Sequence, residues 1–452
     1  MTDKNTPMGE AAAGIVARLR AAGHEAFFFG GCVRDELLRL PLKDIDIATS
    51  AHPEQVAALF DSVKFVGQAF GVSLVNVGGH SFEVATFRKD GAYLNHRHPD
   101  SVSYGTIEDD AERRDFTVNA LYEDPISGQI RDFVGGVLDM RARAIRCVGD
   151  PRRRFKEDAL RLLRAVRFAA RLGFIIERDT EFAMKELAPT IRYISPERQR
   201  DELSRILTGP NPTGAIRMMD DCGVLHFLLP EIEAMKGVEQ GKLYHPEGDV
   251  FVHTLLVLEK IEPRTEAHAW AALLHDVGKP STFAHNGPEG GISFHEHEKV
   301  GAVMARQILE RFRFSNEFID TVSTLVARHM MFKDAAQMRR STLRRFLGAP
   351  TIESDLALHR ADCLGSWGGL DGYDFCRAKI AELAATATPA LPPSLITGHD
   401  LMALGMKPGK AIGEMLRRIQ EMQLEGELVT AEQAREWVTR ELSKLSVPSE
   451  EL

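Results

Sequence analysis

Residues 30–49 read GGCVRDELLRLPLKDIDIAT, and three features of this stretch decide the fold. Gly30 and Gly31 close EAFFFGG, a short apolar run with the composition of a buried strand that ends where the backbone must approach something closely. Arg34 and Asp35 then open a helix, VRDELLRL. Asp44 and Asp46 fall on a second strand, DIDIAT, where side chains two apart share a face, so their carboxylates can share metal ions. A lone DxD is usually a solvated strand end or turn. Two glycines, an arginine and then DxD form a much rarer combination, and it suits nucleotidyl transfer. In that chemistry, divalent cations held by carboxylates activate a hydroxyl, neutralise charge on phosphorus and stabilise departing pyrophosphate. Glu83, in FEVATFR on a neighbouring predicted strand, is the candidate third carboxylate.

Working outward, residues 10–22 (EAAAGIVARLRAA) have the pattern of an amphipathic helix stopped by Gly23. The segments 64–79 and 80–88 are β-rich with glycine punctuation and complete a small mixed sheet. From Pro151 the character changes to long Leu/Ala/Arg helices broken at Ser195-Pro196 and Gly209-Pro210. The chain of 452 residues exceeds what one core supports, so several units are expected. We read an α/β head over 1–150, a helical neck over 151–236, a metal-binding domain over 237–380 and a helical tail over 381–452. Linkers are expected at 237–248 (GVEQGKLYHPEG) and near 384–394.

Composition narrows the classes. No apolar run approaches the roughly 18 residues needed to cross a bilayer, and the polar start MTDKNTPMGE shows no secretory signal, so a cytoplasmic protein without membrane contact is expected. Five scattered cysteines with no CxxC pair read as reduced thiols. A net charge of −9 argues against indiscriminate nucleic-acid coating. Residues 141–171 nevertheless pack ten arginines and one lysine into 31 positions, a local anion-binding surface within an acidic chain.

With these residues in view, the stretch 30–49 resembles the signature of polymerase-β-type nucleotidyltransferases, specifically the bacterial-type (class II) tRNA nucleotidyltransferases and the related poly(A) polymerases. ERRDFTVNAL (112–121) is similar to the family's sugar- and phosphate-contacting motif, which implies Arg114 at the nucleotide with Asp115 and Asn119 around it, beside Gly30, Gly31 and Arg34. DFVGGVLDM (132–140) resembles the family's hinge, and SPERQRDEL (195–203) a motif bracing the neck helices, implying structural roles for Glu197 and Arg198. The polar segment 87–106 stands where the family carries a mobile loop, with an altered centre, Tyr93-Leu94-Asn95-His96-Arg97. The C-terminal region from Thr397 resembles the family's tail; Lys407 to Lys410 at a helix start would suit either a phosphate or a capped helical hairpin.

In EDALRLLRAVRF, Asp158, Arg161, Arg164 and Arg167 recur every three residues, a step of about −60° on a helix, so Asp158 and Arg161 are expected side by side on one face. Leu162, Leu163, Val166 and Ala169 fall on the other side and should pack the neck core. A carboxylate accepts from the exocyclic amino group that cytosine and adenine possess, and a guanidinium donates to the ring nitrogen or carbonyl beside it. An Asp/Arg pair can therefore select C and A without a nucleic-acid template; that the family uses EDxxR in this way is what the resemblance implies. Arg164 and Arg167 then become triphosphate or tRNA contacts. Ordinary i,i+3 ion pairing on a solvated helix is the competing explanation.

The second half carries His253 in VFVHTLLVLEKI, His275-Asp276 in WAALLHDVGKP, His297 in FHEHEKVGA, His329 in VARHMMF and Asp362 in HRADCLGSW. Imidazoles and carboxylates converging from several helices make a divalent-metal site with room for water. His295 competes with His297 for its place. The set resembles the HD phosphohydrolase superfamily, which implies a divalent transition metal there; at the head, the nucleotidyltransferase resemblance implies Mg²⁺ on Asp44 and Asp46. The combined expectation is CCA addition to tRNA from CTP and ATP, with no obligate protein partner. A-only addition, CC-only addition and poly(A) synthesis are siblings on the same head. A reading of another class makes the head an RNA-binding module and the HD domain the working hydrolase.

Overall fold

The apolar run Ala26–Phe29 is buried at every position and forms β1, in the interior of a seven-stranded mixed sheet. The other strands are β2 (Asp46–Thr49), β3 (Val63–Phe65), β4 (Val72–Val77), β5 (His80–Thr86), β8 (Leu121–Glu123) and β9 (Ile130–Asp132), in the order β3-β4-β5-β2-β1-β8-β9. Two short strands, β6 (Arg88–Asp90) and β7 (Val102–Tyr104), pair separately. Only β2 and β5 run parallel in the large sheet; β1 is antiparallel to both β2 and β8. This computed structural model describes residues 6–66, 71–91, 101–241, 245–286, 291–385 and 389–445; the Tyr93 to Arg97 centre of the polar loop lies outside them.

The chain divides into two units, residues 1–236 with 308–314, and residues 237–307 with 315–452. In the first, α1 (Pro7–Ala21) is capped by Thr6, whose hydroxyl accepts from the Gly9 N–H, and it buries Ala12, Ile15, Val16 and Leu19. Gly30 ends β1 at φ 73°, ψ −126°, a conformation that only glycine adopts without strain, and the chain turns at once into α2 (Gly31–Leu37). After α3 (Pro53–Leu59), α4 (Ile107–Glu112) and α5 (Gly136–Ala142) the neck begins with α6 (Pro151–Glu157) and α7 (Leu160–Leu172), followed by α8 (Arg178–Leu187) and α9 (Pro196–Leu207). The expected core face of α7 is present: Leu162, Leu163, Val166 and Ala169 are all fully buried. At the segment expected to be a hinge, Asp132 accepts from four backbone N–H groups, those of Val134, Gly135, Gly136 and Val137, and so fixes the start of α5.

Among its described residues the second unit is helical apart from one antiparallel strand pair, Phe283–His285 with Ile292–Phe294, that the helical reading did not foresee. Its metal-ligand candidates stand on or beside helices 250–260, 266–274, 297–311, 316–328 and 352–365. Helices 398–403, 410–425 and 431–445 gather around Ile396, Leu401, Met415, Ile419, Ala434 and Val438 into a core of their own. Among the described residues no helix is long and apolar enough to cross a membrane. All five cysteines are buried and free.

Candidate active site and metal centre

In the first unit, Asp46 is the opening residue of β2, and Asp44 lies two residues earlier in irregular chain, which corrects the expectation that both stand on the strand. β2 pairs in parallel with β5, with Ile47 opposite Val84, which brings Asp46 and Glu83 to neighbouring strands one step earlier in the register. All three carboxylates line one cleft of about 710 Å³, together with Gly30, Gly31, Arg34, Arg114, Asp115, Asn119, Asp158, Arg161, Arg164 and Arg167. Burial, then the nearby charges of Asp44 and Glu83, push the Asp46 carboxyl up to about 7, against the opposing pull of Arg114. Hard carboxylates crowded at mutual cost are the donor set that a divalent cation relieves, so the residues fit Mg²⁺.

Arginines surround this acidic corner, and each is held by a partner. Arg114 donates to Asp110 at 2.6 Å and to the Tyr122 hydroxyl at 3.2 Å, and lies 4.1 Å over the Phe29 ring. Asp110 also accepts from Tyr122 (2.6 Å) and Arg113 (2.6 Å). Burial opposes its charge, yet Arg114 and Arg113 hold its carboxyl well below the usual range. Arg34 is almost fully buried; it donates to Asp35 at 2.6 Å and to Asn119, while burial lowers its own affinity for the proton. Asn119 in turn donates to Asp115 at 3.1 Å, and Asp115 accepts from Arg164 at 2.8 Å. Despite burial, Arg164 holds Asp115 down to about 2. Arg167 donates to Glu202 at 2.6 Å, and Arg171 to Asp35 at 2.7 Å. Arg34, Asn119 and Asp115 thus form one largely buried network in the wall of the cleft, tied to α7 through Arg164.

One expectation fails here. Asp158 and Arg161 do not share a helix face, because the helix is broken between α6 and α7: Asp158 is extended at φ −150°, ψ 104°. Its side chain accepts from the Leu160 N–H at 3.1 Å, a local bond that competes with helix continuation. Arg161 instead donates to Glu157 (2.7 Å) and to the Arg154 carbonyl (2.8 Å), and Asp158 accepts from Arg198 at 2.8 and 3.2 Å. Both nonetheless line the cleft. Asp110, Glu157, Arg198 and Glu202 are the residues the sequence reading missed in these roles. Glu157 and Asp110 carried a legible signal, the i,i+4 spacing to Arg161 and Arg114. Glu197, expected as a brace, pairs with Arg313 at 2.7 Å.

In the second unit, His253, His275, Asp276, His297 and His329 are buried and Asp362 stands beside them; His297 takes the place for which His295, exposed, competed. The donors fall into two halves that share Asp276. His275 Nε2 lies 3.2 Å from Asp276 Oδ2 and 3.3 Å from His253 Nε2, which is 3.0 Å from Asp362 Oδ1. His297 and His329 Nε2 lie 3.4 and 3.7 Å from the other oxygen, Oδ1, and 3.3 Å from each other. Each ring's far nitrogen is engaged. Nδ1 of His275, His297 and His329 meets the carbonyls of Ala272, Phe294 and Val326, and Nδ1 of His253 lies 2.8 Å from Glu247. Nδ1–H donation leaves the Nε2 lone pairs facing one another, an arrangement that a metal cation resolves. Gly278 is required for this packing: a Cβ there would sit 2.3 Å from the His297 carbonyl. Lys279, unmentioned by the sequence reading although it completes HDVGK, pairs with Asp276 Oδ2 at 2.6 Å.

Three segments of the chain match families of known proteins. Residues 26–146 match the poly A polymerase head domain, 173–236 the probable RNA and SrmB-binding site of polymerase A, and 250–366 the HD domain. The chain is 34% identical over 424 residues to the CCA-adding enzyme of Enterococcus faecalis, with 92% of each chain covered. It is 35% identical over 430 residues to the A-adding tRNA nucleotidyltransferase of Deinococcus radiodurans, covering 92% of this chain and 95% of that one. The chain belongs to the tRNA nucleotidyltransferase family. The crystal structure of the Bacillus stearothermophilus CCA-adding enzyme in complex with CTP is similar at a TM-score of 0.74 and 27% identity, covering 98% of this chain and 99% of that one. The mixed-sheet head followed by helical domains is therefore the tRNA nucleotidyltransferase architecture, as the sequence led us to expect. The family's divalent-metal chemistry agrees with the carboxylate corner of the head and with the histidine clusters of the HD domain.

Proposed function

We propose that this tRNA nucleotidyltransferase adds C, C and A to the 3′ end of tRNA from CTP and ATP. The observation that carries the reading is the meeting of Asp44, Asp46 and Glu83 with an arginine-lined cleft that also presents Asp158 and Arg161. Asp44 and Asp46, with Glu83 beside them, would hold Mg²⁺, which supplies activation of the terminal hydroxyl and neutralisation of charge at phosphorus when bound. Gly30 and Gly31 leave room for a triphosphate, and Arg114, fixed from behind by Asp110, offers charge to it. Asp158 accepts the amino group of cytosine or adenine, and Arg161, held by Glu157, donates to the adjoining edge; Arg164 and Arg167 line the path of the phosphates. The same reading divides the chain into head (1–150), neck (151–236), HD domain (237–380) and tail (381–452), and expects the enzyme to work in the cytoplasm. A-only addition is the second reading, favoured by the likeness to the A-adding enzyme.

For the HD domain we propose hydrolysis of phosphate esters with divalent transition-metal ions held by His253, His275, Asp276, His297, His329 and Asp362. The two halves meeting at Asp276 fit a pair of ions, and Lys279 offers a cation for a phosphate oxygen. The deciding experiment supplies tRNAs ending before CCA, after C and after CC with CTP and ATP, singly and together, and sizes the products. Stepwise completion of all three supports the reading. Extension of the CC-ending tRNA alone assigns the A-adding activity.

A further inference from the structure

Two groups carry the proposed choice of base, and the fold holds them very differently. Arg161 is nearly buried and bound to Glu157 and the Arg154 carbonyl, so its donors are set by the surrounding protein. Asp158 stands on the break between α6 and α7 with no helix to orient it. What orients it is Arg198, in the first turn of α9 and itself a wall of the cleft. Its two guanidinium arms meet the two carboxylate oxygens, Nη1 to Oδ1 at 3.2 Å and Nη2 to Oδ2 at 2.8 Å, in the forked geometry that fixes a carboxylate plane.

The count of acceptor sites turns this contact into a device for selection. An ionised carboxylate offers about four lone-pair sites on its two oxygens. Arg198 takes one on each oxygen, and the Leu160 N–H takes a second on Oδ1 at 3.1 Å. One site is left, on Oδ2. A side chain that would otherwise turn about its own bond and present several acceptors is thereby reduced to a single acceptor in a fixed direction. An amino group of cytosine or adenine matches it. The carbonyl at the equivalent edge of uracil or guanine meets it lone pair to lone pair, and the carboxylate cannot rotate away without breaking the fork.

We propose that Arg198 is a specificity-positioning residue: by clamping Asp158 it leaves one acceptor for the incoming base and so sets the rejection of UTP and GTP. This rests on the reading of Asp158 as the base selector, and the test keeps the two apart. kcat/KM for CTP, ATP, UTP and GTP is measured on tRNA primers for the full-length protein and for Arg198→Gln, Arg198→Lys and Asp158→Ala. A substitution that merely loosened α9 would depress all four nucleotides together and leave their ratios unchanged.

The clamp predicts that Arg198→Gln lowers the CTP/UTP and ATP/GTP ratios by about tenfold or more, the size of a lost hydrogen-bond pair to a charged group. Arg198→Lys, which keeps the charge and loses the fork, falls in the same direction. If Asp158→Ala relaxes the ratios while both Arg198 variants keep them, the clamp is wrong and Asp158 remains the selector. If Asp158→Ala also keeps them, the base-selector reading itself fails, and the clamp with it. Should Arg198→Gln fail to fold, as judged by its circular dichroism and melting, Arg198→Lys decides the matter by the same ratios.

Discussion

Binding of Mg²⁺ at the head should release a proton, and the amount follows from the crowding around Asp46. Its carboxyl is raised from 3.8 to about 7, first by burial and then by Asp44 and Glu83. At 1.36 kcal/mol per pH unit this is about 4 kcal/mol of unfavourable charge, an upper bound because water in the open cleft screens part of it. The sign follows from linkage. A carboxyl whose folded value lies above its unfolded value favours the fold while protonated, so without metal its contribution is present below about pH 4 and is lost as pH rises through about 7. A cation that binds the carboxylate must displace the proton, giving a release of about 0.9 proton at pH 6, about 0.5 at pH 7 and about 0.1 at pH 8. Calorimetric titration with MgCl₂ in buffers of different ionisation enthalpy reads this number directly. Asp276→Ala and the double variant Asp46→Asn/Asp276→Ala are compared, so that the HD centre contributes little to either. A release that is flat with pH, or equal in the two proteins, would refute the account of Asp46.

Asp110→Asn should raise KM for CTP and ATP about tenfold or more and reduce kcat, because Arg113 and Arg114 lose their shared anchor; steady-state kinetics on a tRNA primer checks it. Asp115, held down to about 2 by Arg164 against burial, has a depressed value, so its contribution of about 2 kcal/mol is present above about pH 4 and fades as pH falls toward 2. Urea unfolding of Asp115→Asn and wild type should therefore differ at pH 7 and converge near pH 2. Asp276→Ala should strip tightly held transition metal from the purified protein, seen by mass spectrometry, while CMP incorporation stays within a few-fold of wild type; loss of both would deny the separation of the two centres.

The sequence was most informative where chemistry and periodicity coincide. Gly30, Gly31 and the Asp44/Asp46 pair foretold a strand, a tight turn and a carboxylate corner, since two glycines, an arginine and a DxD in that order are a rare combination. The 3.6-residue period separated Leu162, Leu163, Val166 and Ala169 from the arginines of α7 correctly, because burial enforces that period over its whole length. The period misled at Asp158, where a side-chain bond to the Leu160 N–H breaks the helix; propensity for such a local bond belongs to any aspartate, and only the fold selects it.

The partners of the arginines were the least legible part. Asp110 with Arg114, and Glu157 with Arg161, had helical spacing that could have been read. Arg198 with Asp158 and Arg171 with Asp35 are separated by 40 and 136 residues, and no local pattern connects them. In the HD domain the ligand types and helices were foreseen, whereas the engagement of each Nδ1 with a carbonyl or with Glu247 is a backbone matter that residue identity does not carry. The strand pair 283–285/292–294 escaped for the ordinary reason that three-residue strands leave almost no period to detect.

The claim on which the rest stands is that two head carboxylates carry the transfer of nucleotides to tRNA. It is tested most directly by the rate of CMP incorporation into tRNA lacking its CCA end, measured in single turnover for wild type and Asp44→Ala at saturating CTP and Mg²⁺. We predict a fall of at least about a thousandfold, the scale on which a lost electrostatic stabiliser of a transition state is felt, with the HD metal content unchanged. Incorporation by Asp44→Ala at a rate near that of wild type would contradict it.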